Sequence, residues 1–182
     1  MKILVVTQYF WPENFRINDL CQQFVNDGHQ VTVLTGEPNY PDGKLYKDYI
    51  NNKSEYDTFE GCEIIRAPII PRGNSHLKLI LNYISFVVSG CLTALFRMKN
   101  HNFDKIFVCQ LSPVTSALPA VFYGKLFKVP IYMWVLDLWP DSLSDAGNID
   151  NKLLNKIFGS LTQFIYSSCE TVLAQSNTIN NE

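Results

Sequence analysis

Six short apolar runs, at residues 3–6, 31–34, 63–67, 103–109, 131–136 and 171–174, alternate with longer stretches of helical periodicity. Ile3-Leu4-Val5-Val6 carries no polar residue on either side of the pleat, the pattern of a strand buried on both faces. After it, Ile17, Leu20, Cys21, Phe24 and Val25 recur at i, i+3, i+4, i+7 and i+8, and Gly28 closes that helix. Further helical patterns cover residues 77–98, 114–127 and 151–167, the last with Leu153, Leu154, Ile157, Phe158, Leu161, Phe164 and Ile165 on its apolar stripe. Strands alternating with helices predict an α/β fold, a Rossmann-like parallel sheet with helices on both faces. Right-handed crossovers give it the strand order 3-2-1-4-5-6. One such domain spans residues 1–175, and residues 176–182 form a polar tail or the start of a linker. Residues 36–58, rich in Gly, Pro, Asn and Asp, read as one long loop, and long loops inside compact domains usually carry function.

With 182 residues and 47% hydrophobic content, the chain can bury a full core without a disulfide or metal staple. The same content excludes general disorder. A net charge of -2 argues against a nucleic-acid binder. Cys21, Cys62, Cys91, Cys109 and Cys169 contain no CxxC pair and have no His at zinc-ligand spacing, so they read as free thiols in a reducing compartment, with no metal. The apolar run at residues 3–6 is too short for a secretory h-region, and the expected location is cytoplasmic.

In an open α/β sheet the ligand sits outside the carboxyl ends of the strands, where strand order reverses. Four loops converge there: residues 8–14, 110–113, 137–145 and, alongside, 36–43. The first runs Gln8-Tyr9-Phe10-Trp11-Pro12-Glu13-Asn14-Phe15-Arg16 and contains no glycine, so the dinucleotide fingerprint is missing and NAD or FAD is not expected. Glu13, Asn14, Arg16 and Asn18 crowd the start of a helix. They either offer polar groups to hydroxyls or a phosphate, or cap that helix while Phe10 and Trp11 pack. In the second loop, Asn39 and Tyr40 suit sugar recognition and a plain turn equally.

Asp137 directly follows a buried strand, Asp141 comes four residues later, and Trp139-Pro140 form a rigid apolar wall between them. The two carboxylates are either an acid/base pair or turn caps, and their DxxxD spacing is not the DxD of a metal–diphosphate site. His29, His76 and His101 are scattered and read as surface or capping residues.

Residues 79–96 hold no charge between Lys78 and Arg97. At 1.5 Å per residue they would reach roughly 27 Å, close to the ~30 Å hydrocarbon core of a bilayer. Asn82, Ser85, Ser89, Gly90 and Thr93 interrupt the run, and it lies between two strands of one sheet, which a spanning helix would tear apart. A buried or interfacial helix is the expectation, with Arg66, Arg72, His76, Lys78, Arg97 and Lys99 around it to meet anionic lipid head groups.

Three motifs in order carry a family resemblance. They are residues 9–18 (Tyr9-Phe10-Trp11-Pro12-Glu13-Asn14-Phe15-Arg16-Ile17-Asn18), residues 35–43 (Thr35-Gly36-Glu37-Pro38-Asn39-Tyr40-Pro41-Asp42-Gly43) and residues 137–142 (Asp137-Leu138-Trp139-Pro140-Asp141-Ser142). The chain resembles the N-terminal half of bacterial GT-B glycosyltransferases of family 4, closest to the colanic-acid, O-antigen and fucosamine-transferase group. The resemblance implies a retaining transferase that moves a sugar from a nucleotide-sugar donor to a lipid-linked saccharide in cell-surface polysaccharide synthesis. It implies an acceptor-binding domain on the inner face of the plasma membrane, partnered by its own C-terminal domain, which holds most of the donor and a Glu-x7-Glu motif. No cofactor or metal is implied, and the isolated half is expected to lack turnover.

Under this reading Asp137 contacts the transferred sugar, and Glu13, Asn14, Arg16, Asn18, Asn39, Tyr40, Arg66, Trp139 and Asp141 bind substrate. Two departures stand out. Glu13-Asn14 replace the Gly-Gly of many members, and Trp134 stands where relatives often have a His three positions before the Asp. Two other readings remain: a non-catalytic membrane-docking subunit of a split two-chain transferase, and a stand-alone Rossmann-like protein for another small ligand.

Overall fold

All six expected strands form, and a short seventh joins them at one edge of a single sheet. The computed structural model describes residues 1–137 and 152–174. In chain order the elements are β1 (Lys2–Val6), α1 (Arg16–Asn26), β2 (Gln30–Gly36), α2 (Lys47–Asn51), β3 (Thr58–Phe59), β4 (Cys62–Ala67), α3 (His76–Arg97), β5 (Lys105–Gln110), α4 (Leu118–Phe127), β6 (Ile131–Val135), α5 (Lys152–Ser167) and β7 (Thr171–Ala174). The sheet order is β3-β4-β2-β1-β5-β6-β7. Every pairing is parallel except the antiparallel one between β3 and β4.

Residues 36–58 are not one loop, as the sequence suggested. They hold α2, a 3-10 turn at Lys53–Tyr56 and the start of β3. Glu60 and Gly61 both take positive φ (46° and 83°), which fits a two-residue hairpin between β3 and β4. High Gly, Pro and Asn content hid these short pieces, because each is only one or two turns long and has no periodicity to read. A 3-10 turn at Val114–Ala117 likewise precedes α4, whose first turn contains Pro119.

Side chains alternate between two cores. Leu4, Val6, Leu34, Ile65, Val108 and Met133 face α3, α4 and α5, where Phe86, Met98, Tyr123 and Ile165 cover them. Ile3, Val5, Val31, Val33 and Ile64 face α1, where Phe10, Ile17 and Cys21 cover them. The connection from β4 through α3 returns across the sheet to β5, so strand order reverses between β1 and β5.

The inner stripe of α3, Asn82, Phe86, Gly90, Thr93 and Ala94, is buried. Phe86, the large apolar side chain among them, contributes about 1.5–3 kcal/mol that would be lost if the helix left the sheet. The inner side of the helix is therefore part of the domain core. Its outer face is apolar too: Leu77, Ile80, Ile84, Val88, Leu92 and Phe96 are between 50% and 68% exposed. The five cysteines form no disulfide.

Gly90 sets how closely α3 approaches α4, since a Cβ there would lie 2.8 Å from Pro119 Cγ. Gly90→Val should overpack this contact at a cost of about 1–3 kcal/mol, outweighing the few tenths gained in helix propensity. Thermal unfolding checks this; an unchanged or raised Tm would mean the two helices separate freely.

Candidate functional site

The carboxyl ends of β1, β5 and β6 carry the site, and buried polar groups fix the loops above them. Glu13 is 2% exposed. Its Oε1 accepts from the backbone N–H of Asn39 (2.8 Å) and Tyr40 (2.7 Å), and its Oε2 from Phe10 N–H (3.3 Å). Asn18 Nδ2 donates to the Glu13 carbonyl (2.8 Å). Asn39 Nδ2 donates to the Glu37 carbonyl, while its Oδ1 accepts from Arg72 N–H at 2.9 Å. Arg66 donates to the carbonyls of Gly36 (3.0 Å), Trp11 (2.6 Å) and Tyr56 (3.4 Å), and its guanidinium stacks 5.3 Å from the Tyr49 ring.

Glu13, Asn18, Asn39 and Arg66, expected to meet a ligand, are buried and hold loops together, while Asn18 Oδ1 and Arg66 Nε have no hydrogen-bond partner. A buried polar group needs such partners to offset its lost hydration. Arg66 also cannot join a lipid surface beside α3, because it alternates with Ile65 and Ala67 and faces the α1 side of the sheet. The capping reading of residues 13–18 is not what forms: Phe15 is the N-cap of α1 and makes no side-chain cap bond. Asn14 and Arg16 stand exposed at the start of α1. Trp139 and Asp141 lie outside the described residues.

Burial pushes the Glu13 carboxyl up to about 7, against the three backbone N–H groups and Arg66, all of which favour the anion. Burial also lowers the Arg66 guanidinium below its ordinary value, opposed chiefly by Tyr49 and Glu13.

A second group of side chains faces the opening. Tyr9 stacks on Phe15 (5.5 Å between centroids) and touches Tyr40 (5.6 Å), while Arg72 lies 5.5 Å over the Tyr40 ring. Gly43 and Gly73 bring Arg72 to this place: the Gly73 N–H bonds the Gly43 carbonyl at 2.9 Å. A Cβ on Gly43, whose φ is +69°, would fall 2.6 Å from the Gly73 backbone.

Asp137 stands just past β6. Tyr83 of α3 feels both Arg72 and Asp137, and Tyr166 of α5 feels Asp137; burial raises both phenols above their ordinary value, Asp137 adding to it at Tyr166, while at Tyr83 Arg72 opposes it and Asp137 adds less. Tyr83 and Tyr166, from α3 and α5, thus both lie within the electrostatic reach of Asp137. Sequence reasoning missed Tyr9, Tyr83 and Tyr166, and saw Arg72 only as a lipid contact. Tyr83 beside Asn82, inside an otherwise apolar helix, was the available signal.

Gln8, in the loop after β1, and Gln110, the last residue of β5, each lie two residues beyond the paired Val6 and Val108. Gln8 Nε2 donates to Asn82 Oδ1 (2.8 Å), and Asn82 Nδ2 to the Ile70 carbonyl (2.7 Å). The Oε1 atoms of both glutamines and Ser116 Oγ are buried and have no partner. They form a polar layer at the switch point, suited to hydroxyl groups or ordered water. Among the described residues no group of three or more His, Cys, Asp or Glu could hold a metal ion.

No protein-family model and no curated protein sequence matches the chain. Among solved structures it is similar to CalG4, the calicheamicin glycosyltransferase, with a TM-score of 0.52 at 10% identity over 90% of this chain. The chain spans 42% of that neighbour's length. The likeness establishes the expected α/β Rossmann-like fold.

The Glu13 clamp has a pH signature. Its carboxyl is raised in the folded state, so its contribution is fully present below about pH 4.5 and is lost as pH rises through about 7. Thermal melts from pH 4.5 to 8 should show Tm falling with rising pH more steeply in wild type than in Glu13→Gln. Parallel profiles would show that Glu13 stays ionised throughout.

Proposed function

We propose that this chain is the acceptor-binding domain of a retaining GT-B glycosyltransferase of the family 4 type. It would move a sugar from a nucleotide-sugar donor to a lipid-linked saccharide of a cell-surface polysaccharide. One observation carries the reading: Asp137 lies just past the carboxyl end of β6, next to the β1/β5 switch point, and its charge reaches Tyr83 and Tyr166. The likeness in fold to a known glycosyltransferase supports it, as does a first loop without the glycines that a dinucleotide needs.

In transfer, the acceptor oxygen bonds to the anomeric carbon and the bond from that carbon to the donor diphosphate breaks. The hydroxyl proton leaves with the diphosphate. Positive charge develops on the sugar at that moment, and a fixed carboxylate at Asp137 stabilises it electrostatically. The aromatic faces of Tyr40 and Tyr83 and the Arg72 guanidinium wall the acceptor side. A second domain or chain supplies the donor diphosphate site, and no cofactor or metal takes part.

The domain works on the cytoplasmic face of the plasma membrane, lying on it through α3. The outer face of α3 is apolar and exposed. No Asp or Glu occurs in residues 64–103, where Arg66, Arg72, Lys78, Arg97 and Lys99 do. Arg66 is buried on the opposite side of the sheet, which leaves four cations for the lipid surface. The same face also supports the second reading, a membrane-docking subunit that recruits a separate donor-binding chain.

In a transferase containing this domain, Asp137→Asn should lower kcat by about 10²–10³-fold and leave the donor KM within about threefold. Steady-state kinetics decide, and an unchanged kcat would reduce Asp137 to a structural role. The chain should also sediment with anionic vesicles at low salt and be released at high salt. No binding at low salt would leave the outer face of α3 as a protein interface.

A further inference from the structure

Two thiols meet beneath α1, on the side of the sheet away from α3. Cys21 of α1 and Cys62, the first residue of β4, are 0% and 1% exposed and belong to one core cluster. We propose that Cys21 and Cys62 form a reversible oxidation site, at which a low-molecular-weight disulfide such as oxidised glutathione converts the pair to a disulfide that staples α1 to β4. The inference is independent of the transferase reading.

Three observations bring the two sulfurs together. Cys62 and Ile64 alternate with Ile65 and Ala67 along β4, so the Cys62 side chain faces α1, in the cluster that holds Ile17 and Cys21. A Cβ on Gly61 would fall 2.8 Å from Val25 Cγ1, so the turn between β3 and β4 rests on the residue one helical turn after Cys21. The helix α1 runs back against the parallel strands β1, β2 and β4. One turn back from Val25 and one residue on from Gly61 therefore lead the same way, by about 6 Å and 3.3 Å, to Cys21 and Cys62. Third, the leading influence on each thiol is the other. The Cys21 S–H donates toward Cys62 and holds that thiol below its ordinary value, against burial and the Glu60 charge, while Cys62 and then burial push Cys21 up.

The other cysteines lack this pairing. Burial pushes Cys109, on β5 in the same cluster, up to about 12 against its contact with Thr7. Burial also raises Cys91 and Cys169, and no other thiol lowers either. Cys62 is thus the one cysteine held below its ordinary value, which makes it the attacking thiolate. It is also next to solvent along the chain: Glu60 and Gly61 before it are exposed, and the edge strand β3 pairs with β4 through Thr58 and Phe59 alone. Lifting so short an edge strand opens Cys62 without disturbing the central sheet.

In the reaction the Cys62 thiolate attacks one sulfur of glutathione disulfide, and the other sulfur leaves as glutathione thiolate. Cys21 then loses its proton and attacks the Cys62 sulfur, expelling the second glutathione. Two thiol hydrogens and two electrons pass to one glutathione disulfide, giving two molecules of glutathione. The ring so closed runs from residue 21 to residue 62 and includes β2, α2 and β3, so it restrains the unfolded chain and stabilises the domain. In a reducing compartment the bond forms when glutathione disulfide accumulates and is lost when it is removed.

The test is incubation of the folded chain with oxidised glutathione at mildly alkaline pH, blocking of the remaining thiols, and peptide mapping by mass spectrometry without reduction. A linked Cys21–Cys62 peptide short of two hydrogens should appear, and dithiothreitol should remove it. Cys21→Ser should trap glutathione on Cys62, whereas Cys62→Ser should leave Cys21 reduced. The oxidised wild type should melt roughly 5–10 °C above the dithiothreitol-treated chain, and Cys21→Ser should lose that difference.

Reduced Cys21 and Cys62 at the end of the incubation would overturn the assignment, as would a Cys21–Cys109 link or a linkage that forms only in denaturant. A lowered Tm on oxidation would overturn the staple. The wild-type peptide map decides without any variant; should Cys21→Ser unfold, Cys21→Ala takes its place.

Discussion

A single buried carboxylate organises the ligand edge of this domain. Glu13 reaches from the loop after β1 to the backbone N–H groups of Asn39 and Tyr40 in the loop after β2, and closes its own loop through Phe10. Arg66 supports the same two loops from β4 through the Trp11 and Gly36 carbonyls. Without these bonds, backbone groups on both loops would be buried unpaired, at about 1–3 kcal/mol each. Asn39 passes the constraint on: its side chain accepts from the Arg72 N–H, so the clamp also fixes the entry to α3. Tyr9, Tyr40 and Arg72 therefore meet as a consequence of one carboxylate placed three residues before the first full turn of α1.

The second constraint is that α3 has large apolar residues on its outer as well as its inner side. One side covers the sheet through Phe86, Ala94 and Met98, and Gly90 lets α4 come close. The other side stays uncovered in the domain. A patch of this size is rarely left to water in a soluble protein. The helix thus gives one side to the core and leaves an apolar side at the surface.

Period-2 and period-3.6 patterns, which local chain geometry imposes, were legible in the sequence. The six long strands, α1, α3 and the core of α5 followed from them, and right-handed crossovers then gave the strand order. The short pieces α2 and β3 did not, since one turn of helix or two strand residues leave no period. Of the site, Asp137 at the end of β6 was visible because a carboxylate directly after a buried strand must lie at the carboxyl edge. Glu13, Asn39 and Arg66 were visible as unusual residues, but their direction was not.

By itself the sequence determined the α/β alternation, the absence of a dinucleotide glycine loop and a charge-free helix with basic flanks. These depend only on residues near one another along the chain. The tertiary structure alone decided that Glu13 and Arg66 face inward, that Tyr9, Tyr40, Arg72 and Tyr83 gather, and that Gln8 and Gln110 lie just beyond the paired Val6 and Val108. Those facts depend on contacts between segments from 26 to more than 100 residues apart, such as Glu13 with Asn39 and Val6 with Val108. No local pattern encodes which side chain will be desolvated by a distant loop, and desolvation is what turned candidate ligands into clamps.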